Sequence, residues 1–243
     1  MNLSINKIYV LKKLRPIIML SHMRANTSLF GHILGHNPEI NGYYEIHIGY
    51  YSWKSLIRQK LKYLENHHFK ANSKYLFDKV LHNEHYINCK AIKNAKVIIS
   101  LRNPEETIPS IINLYKNINS SHHYATTQGA AEYYKNRLNT LLQYSEELKY
   151  RFIYIDANDI KNNTAITFQL LEQELTLQHP LSAEYKIQTL TGIGASGDNS
   201  EALKTGKILP SKTSTKDIYI EPKLNQHYIQ IRKQIIENAK HSL

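Results

Sequence analysis

Residues 16–40 read PIIMLSHMRANTSLFGHILGHNPEI. Ile17, Ile18, Met19 and Leu20 form an apolar run of the length of a buried strand. A polar loop, Ser21-His22-Met23-Arg24-Ala25-Asn26, follows at once. Thr27 and Ser28 then open an amphipathic helix whose apolar face is Leu29, Phe30, Ile33 and Leu34. This is a strand–loop–helix unit whose loop holds hydroxyls, small residues and one guanidinium. A helix N-terminus offers unpaired N–H groups and the positive end of its dipole, so the unit is suited to gripping a phosphate-like anion.

The rest of the chain repeats the alternation. Residues 74–81, KYLFDKVL, are strand-like but carry Asp78 and Lys79, which in a core strand must reach a site or each other. Residues 96–101, KVIISL, form the clearest buried strand after the first. Asn103 suits the N-cap of the helix that follows, Pro104 its first position and Glu105 and Glu106 its first turn. That helix runs through Ile108, Ile111, Ile112 and Tyr115. Further helices are expected over 52–66 (with Leu56, Ile57, Leu61 and Leu64 at helical spacing), 126–150, 164–174 and from Asn225, and a strand over 151–156. Strands alternating with helices predict an α/β fold, three-layered, with a mostly parallel central sheet flanked by helices. One domain over 1–243 suffices, with a basic lead-in at 1–15, a turn at Asn41-Gly42 and a loop-rich stretch at 190–220.

Composition narrows the partners. The net charge is +11 and the isoelectric point about 9.5, which favours an anionic ligand, although a Lys-, Asn-, Ile- and Tyr-rich composition also arises from an AT-rich genome. No apolar run approaches the ~20 residues of a membrane span, leaving peripheral association as the only membrane contact to consider. No secretory leader is read at the N-terminus, and Cys89 is the only cysteine, which fits a reducing cytoplasm.

A second anion site is expected at Arg102 and Ser110, eight residues apart across a strand end and a helix start. Helix side chains lean toward the N-terminus, so Ser110 can point back toward Arg102, and a fork plus a hydroxyl suits a phosphate monoester. Arg102 alone would read as a surface ion pair with Glu105 or Glu106. Both loops should lie at the carboxyl edge of a parallel sheet, where α/β ligands bind. The motif G-x-x-x-x-G-K-[ST] is absent, so this is no nucleoside-triphosphate loop.

These residues resemble the sulfotransferases that use 3′-phosphoadenosine 5′-phosphosulfate (PAPS). In that family a loop of the type [KR]-S-G-[ST]-[ST]-x-L cradles the 5′-phosphosulfate, and here Arg24-Ala25-Asn26-Thr27-Ser28-Leu29 is similar. The family's R-x-P followed by a serine, which binds the 3′-phosphate, resembles Arg102-Asn103-Pro104 with Ser110. HNPEI…YYEIH resembles the H-P-E-I…G-x-x-E segment of the tyrosylprotein and carbohydrate members. Asp78-Lys79 with Asn83 resembles their D-K-x-x-x-N. Gly197-Asp198-Asn199-Ser200 and Lys204-Thr205-Gly206-Lys207 resemble the loop that closes over PAPS. The resemblance implies a P-loop-like nucleotide-binding topology, with Glu45 as the base, Arg24 at the bridging oxygen and Lys79 steadying the sulfuryl oxygens. It also implies Arg24, Ala25, Asn26, Thr27, Ser28, Arg102, Ser110, Ser200, Lys204 and Lys207 as PAPS contacts. One departure is Asn26, which stands where the family has glycine; asparagine tolerates the left-handed region better than most residues.

The acceptor side is less defined. His47, two residues from Glu45, can orient the base or touch the acceptor. Tyr43, Tyr44, Tyr50, Tyr51 and Trp53 read equally as an acceptor wall or as core. The thirteen histidines include His67-His68, His82 with His85, and His122-His123, but no HExxH or Cys/His grid accompanies them, and no metal is expected. The reading is therefore a metal-independent sulfotransferase acting on a hydroxyl of a carbohydrate, glycolipid or small metabolite. Its alternatives are an inactive PAPS-binding homologue, a nucleotide-dependent phosphotransferase and a polyanion or nucleic-acid binder. Strong salt dependence on DNA or RNA would mark the last.

Overall fold

The structure is a computed structural model that describes residues 12–191, 200–210 and 218–243. In chain order the elements are β1 (Arg15–Leu20), α1 (Thr27–His36), β2 (Ile40–Asn41), α2 (Trp53–Leu64), β3 (Tyr75–Val80), β4 (Lys96–Leu101) and α3 (Pro104–Ile118). A 3-10 turn at His123–Ala125 leads to α4 (Thr127–Glu147), β5 (Phe152–Asp156), α5 (Asp159–Asn162), α6 (Thr164–Leu175), α7 (Glu201–Lys204), α8 (Pro222–Asn238) and β6 (His241–Ser242). The six strands form one sheet in the order β2-β3-β1-β4-β5-β6, and every pairing is parallel.

The strands β1, β3, β4 and β5 are buried on both faces, which explains their nearly unbroken apolar sequences. Along β1, Ile18 and Leu20 join one core, with Val97, Ile99, Ile108, Leu138 and Ile231 from β4, α3, α4 and α8. Ile17 and Met19 join the other, with Leu29, Phe30, Ile33 and Leu34 of α1 and Leu171 and Leu175 of α6. The expected three layers are thus present. The chain leaves β1 toward β3 on one side and reaches β4 on the other, so the switch point of the topology lies at the carboxyl end of β1. Asn103 caps α3 as expected, accepting from Glu106 N, with Pro104 inside the first turn. At the other end of α1, the Lys70 ammonium binds the carbonyl oxygens of Gly35, Asn37 and Ile40. Burial lowers its pKa to about 8.

One helix packs differently from its sequence pattern. The buried residues of α2 are Ser55, Gln59, Tyr63 and Leu64, whereas Ile57 and Leu61, expected on its apolar face, are exposed. The polar side chains of the buried face have partners: Ser55 Oγ accepts from Tyr51 N at 3.0 Å and Gln59 Nε2 donates to Leu76 O at 3.5 Å. Tyr63 stacks on Phe69 with ring centroids 5.5 Å apart. Hydrogen-bonded small polar groups can occupy a core face that hydrophobic periodicity alone assigns to leucine and isoleucine. The short strands β2 and β6, two residues each, carry no sequence signal of their own.

A buried guanidinium holds the carboxyl end of the sheet. Arg137 of α4 has no exposed surface; its Nε donates to Ser21 O at 2.8 Å, Nη2 to Val80 O at 2.6 Å and Nη1 to Asn83 Oδ1 at 2.9 Å. It thereby joins the ends of β1 and β3. Burial lowers its pKa, and the nearby phenols of Tyr133 and Tyr144 and the carboxylate of Glu45 act in the opposite direction. Replacing it strands two buried carbonyls, so Arg137→Met should lower unfolding stability by about 3 kcal/mol in urea titrations. A loss within about 0.5 kcal/mol of zero would mean that the strand ends hold without it.

Candidate active site

The loop after β1 takes an unusual course. Arg24 and Asn26 both adopt left-handed backbone conformations, with φ of 64° and 54°. Asn26 is the N-cap of α1, but its side chain does not cap the helix. Instead Nδ2 donates to Ala157 O at 2.7 Å and to Asn158 Oδ1 at 3.2 Å, tying the loop to the end of β5. Asparagine thus takes the conformation for which glycine is favoured and adds two hydrogen bonds that glycine lacks. His22 ties the loop to the next one: Arg102 N donates to its Nε2 at 3.0 Å, and its Nδ1 stands 2.9 Å from Met23 O. The ring must therefore carry its proton on Nδ1. Burial pushes its pKa down to about 4, against the backbone hydrogen bond to Met23, with the charges of Arg137 and Arg102 acting in the same direction as burial.

Three cationic side chains meet at this loop. Arg24 Nε donates to Ser110 Oγ at 2.9 Å, and Arg102 Nη1 donates to Arg24 O at 3.0 Å. Lys79, buried on β3, donates from Nζ to Ser28 Oγ at 2.9 Å in the first turn of α1. The two expected anion sites are therefore one continuous cluster. Their pairing differs from expectation, because Ser110 meets Arg24 and not Arg102. The Arg102 guanidinium is held by Glu106, one turn into α3, at 2.6 Å, and Asn158 Nδ2 donates to the same Glu106 oxygen at 2.8 Å. Thr27 is buried beside Ser28, and Ala25 has no exposed surface.

Glu45 lies next to this cluster, 6% exposed, with Leu81 N donating to its Oε1 at 3.4 Å. The segment carrying it is anchored by Asp78, which accepts from Ile46 N at 2.9 Å, from Lys79 N at 2.8 Å and from the Tyr50 hydroxyl at 2.6 Å. Burial raises the Asp78 pKa to about 7, partly offset by the Tyr50 and Ile46 hydrogen bonds. From below, α1 approaches so closely that a β-carbon on Gly31 would run into the Tyr43 carbonyl. A chain of contacts links Glu45 and the loop: Met23 N donates to the Tyr133 hydroxyl at 2.8 Å, which donates to Leu81 O at 2.8 Å. His47, itself left-handed at φ 56°, places Nδ1 3.8 Å from Glu45 Oε1. Among the described residues, Glu45, His47 and His85 form the one group whose ligand atoms could hold a metal ion, all lying within 4.8 Å of one another.

Other expected residues sit elsewhere. Tyr50 has no exposed surface and spends its hydroxyl on Asp78, so it is an anchor and not an acceptor contact. Tyr44 is 7% exposed, packed on Tyr43 and His67, and burial raises its pKa. The aromatic groups whose electrostatics reach Glu45 are instead Tyr115 and Tyr133, joined through Tyr124 with ring centroids 5.2 Å apart in each pair. Ser200 is the N-cap of α7, where Lys204 pairs with Glu201 at 2.9 Å. Lys207 lines a pocket with His36, at the end of α1 away from Thr27. Gly197, Asp198 and Asn199 lie outside the described residues, as does most of the basic lead-in. Arg137, Tyr133, His22 and Asn158 were not singled out from the sequence, whereas Glu106 was named there with Glu105 as an ion-pair partner for Arg102. Only a buried-polar reading of α4, where Arg137 and Tyr133 share a helix face four residues apart, would have hinted at two of them.

No family model matches the sequence, and no curated protein matches it. Among solved structures, a sulfotransferase domain from the curacin biosynthetic pathway superposes with a TM-score of 0.64 over 90% of this chain and 98% of that one, at 16% identity. Mouse sulfotransferase SULT7A1, complexed with PAP, superposes with a TM-score of 0.51 over 93% of this chain and 86% of its own, at 15% identity. The likeness lies in the fold: a six-stranded parallel sheet flanked by helices, with the β1–α1 loop at its carboxyl edge.

Two outcomes follow from the loop. Asn26→Ala should destabilise the protein by about 1 kcal/mol more than Asn26→Gly in urea unfolding, because alanine adds left-handed strain to the lost hydrogen bonds. The folded pKa of His22 lies below the unfolded value of 6.5, so its stabilising contribution is present above pH 6.5 and lost as pH falls toward 4. Between those limits the wild type should lose about 3 kcal/mol relative to His22→Gln, read as the difference between their unfolding free energies.

Proposed function

We propose that this protein transfers the sulfuryl group of PAPS to an acceptor hydroxyl, and that the acceptor is a carbohydrate, glycolipid or small metabolite. The observation that carries this reading is the meeting of Arg24, Lys79 and Arg102 with Ser28 and Ser110 at the N-terminus of α1, with the buried Glu45 linked to the same loop through Leu81 and Tyr133. A helix N-terminus with three cations around it suits a ligand with two anionic groups close together, and the fold supports a nucleotide at this edge.

In the proposed reaction Glu45 takes the acceptor proton as the acceptor oxygen bonds to sulfur. The bond between sulfur and the bridging phosphate oxygen breaks, and adenosine 3′,5′-bisphosphate leaves. Arg24 faces the bridging oxygen where charge develops, and Lys79 steadies the sulfuryl oxygens from β3. Thr27, Ser28 and the amides of Ala25 and Asn26 hold the 5′-phosphate. Arg102 and Ser110 take the 3′-phosphate, which exchanges with Glu106 at the Arg102 guanidinium. Preorganised cations aimed at developing charge are the main source of rate here. General-base help from Glu45 adds roughly a hundred- to ten-thousand-fold. His47 orients the Glu45 carboxylate, and Tyr115, Tyr124 and Tyr133 offer the acceptor an amphipathic wall. The chain supplies the positive charge that a phosphotransferase would take from magnesium.

Calorimetry with adenosine 3′,5′-bisphosphate in EDTA tests the first half of this proposal. Micromolar binding is expected, weakened roughly tenfold or more in Arg102→Ala by loss of a charge-assisted contact. Tight ATP–magnesium binding without it would favour the phosphotransferase. For the second half, Glu45→Ala should abolish release of adenosine bisphosphate from PAPS with sugar or phenol acceptors while the bisphosphate affinity barely changes. Wild-type turnover in that variant would remove Glu45 from the role of base. Binding without turnover in the wild type across such acceptors would favour the inactive homologue.

A further inference from the structure

The exposed side of α2 has two parallel stripes. Trp53, Ile57 and Leu61 follow one another at four-residue steps and are 64%, 36% and 45% exposed. Lys54, Arg58 and Lys62 follow at the same steps one residue on, which places them alongside, about 100° further round the helix. The remaining face, Ser55, Gln59 and Tyr63, is the one packed on the protein. Tyr51 and Tyr86, 56% and 48% exposed with ring centroids 5.8 Å apart, lie beyond the N-terminal end of the helix. Five of the eleven large apolar side chains exposed among the described residues are thus gathered in this one region. Exposed apolar groups gathered in this way mark a contact surface, whereas scattered ones need no explanation.

We propose that α2 is an interfacial helix that seats this protein on an anionic lipid surface. At twelve residues and about 18 Å it is too short to span a bilayer but long enough to lie in its plane. Trp53, Ile57 and Leu61 enter the boundary between headgroups and acyl chains, and Lys54, Arg58 and Lys62 reach lipid phosphates with their aliphatic stems along the same boundary. Charge selects this occupant over an apolar partner surface. The helix carries four cationic residues and no acid, and Glu65 at its C-cap is paired with Lys62 at 3.1 Å. The whole chain, at +11, adds attraction of the same sign. Glu45 lies eight residues before Trp53 on the segment that leads into α2. The proposal does not depend on Glu45 being a base.

Trp53 is the only tryptophan, so its fluorescence reads the contact directly. Titration with phosphatidylcholine vesicles containing phosphatidylserine should shift its emission to the blue and make it quenchable by brominated acyl chains. Phosphatidylcholine alone should do neither. The double variant Lys54→Glu, Arg58→Glu should lower the partition coefficient by roughly tenfold or more. Leu61→Ser should weaken it at unchanged charge, with circular dichroism confirming the fold of each variant. An unshifted emission with anionic vesicles overturns the proposal. So does vesicle binding that survives the charge reversal intact, which would assign it to bulk charge elsewhere. A blue shift produced by protein concentration alone, without lipid, overturns it in favour of a second copy of this chain on α2.

Discussion

The Arg137 guanidinium at the carboxyl edge of the sheet is the constraint on which the rest depends. It has no exposed surface, and its partners are the carbonyls that end β1 and β3 and the amide of Asn83. The strand ends it joins launch the two segments that matter most. One is the loop of Arg24 and Asn26, and the other begins at Leu81, whose N–H holds Glu45. A charge buried among dipoles is costly unless every donor is used, and here its donors span two strands at once. Glu45, close enough to favour the charged guanidinium, shares its field with the same residue.

The cations of the site are held by the protein's own groups before any ligand arrives. Lys79 rests on Ser28, Arg24 on Ser110 and Arg102 on Glu106. Such pairing keeps like charges apart and fixes long side chains in place, which lowers the ordering cost when an anion binds. It also sets a threshold, since an anion at Arg102 must compete with a carboxylate already hydrogen-bonded by both Arg102 and Asn158. The histidine beneath acts without charge. Kept neutral by burial, His22 accepts from the Arg102 amide and faces the Met23 carbonyl, a bridge that a protonated ring could not make.

Much of the sheet was legible because its strands are buried on both faces and read as apolar runs. β1, β4 and β5 stand where such runs were found, and α3 begins at the Asn103-Pro104 signal. Asp78 and Lys79 were legible as a contradiction, two charges inside a strand, but not in their separate tasks. Lys79 points to the first turn of α1, and Asp78 fastens the segment that carries Glu45. The face of α2 was misread because packing used Ser55 and Gln59, whose polar atoms find partners only in the folded chain. Tyr50 and Tyr44 were left open between acceptor wall and core, since an aromatic residue reads alike in sequence whether it lines a cleft or fills a core.

By itself the sequence determined the alternation of strand and helix, the cation-bearing loop after the first strand and the tolerance of Asn26 for a left-handed turn. These follow from local properties: apolar period, capping chemistry and the conformational range of single residues. Only the tertiary structure decided that Ser110 belongs to Arg24, that Glu106 holds Arg102 and that Arg137 closes the sheet edge over both. Those partners lie from four to 116 residues apart. Which donor meets which acceptor across such separations depends on strand order and helix packing, and these emerge only when the whole chain buries its core.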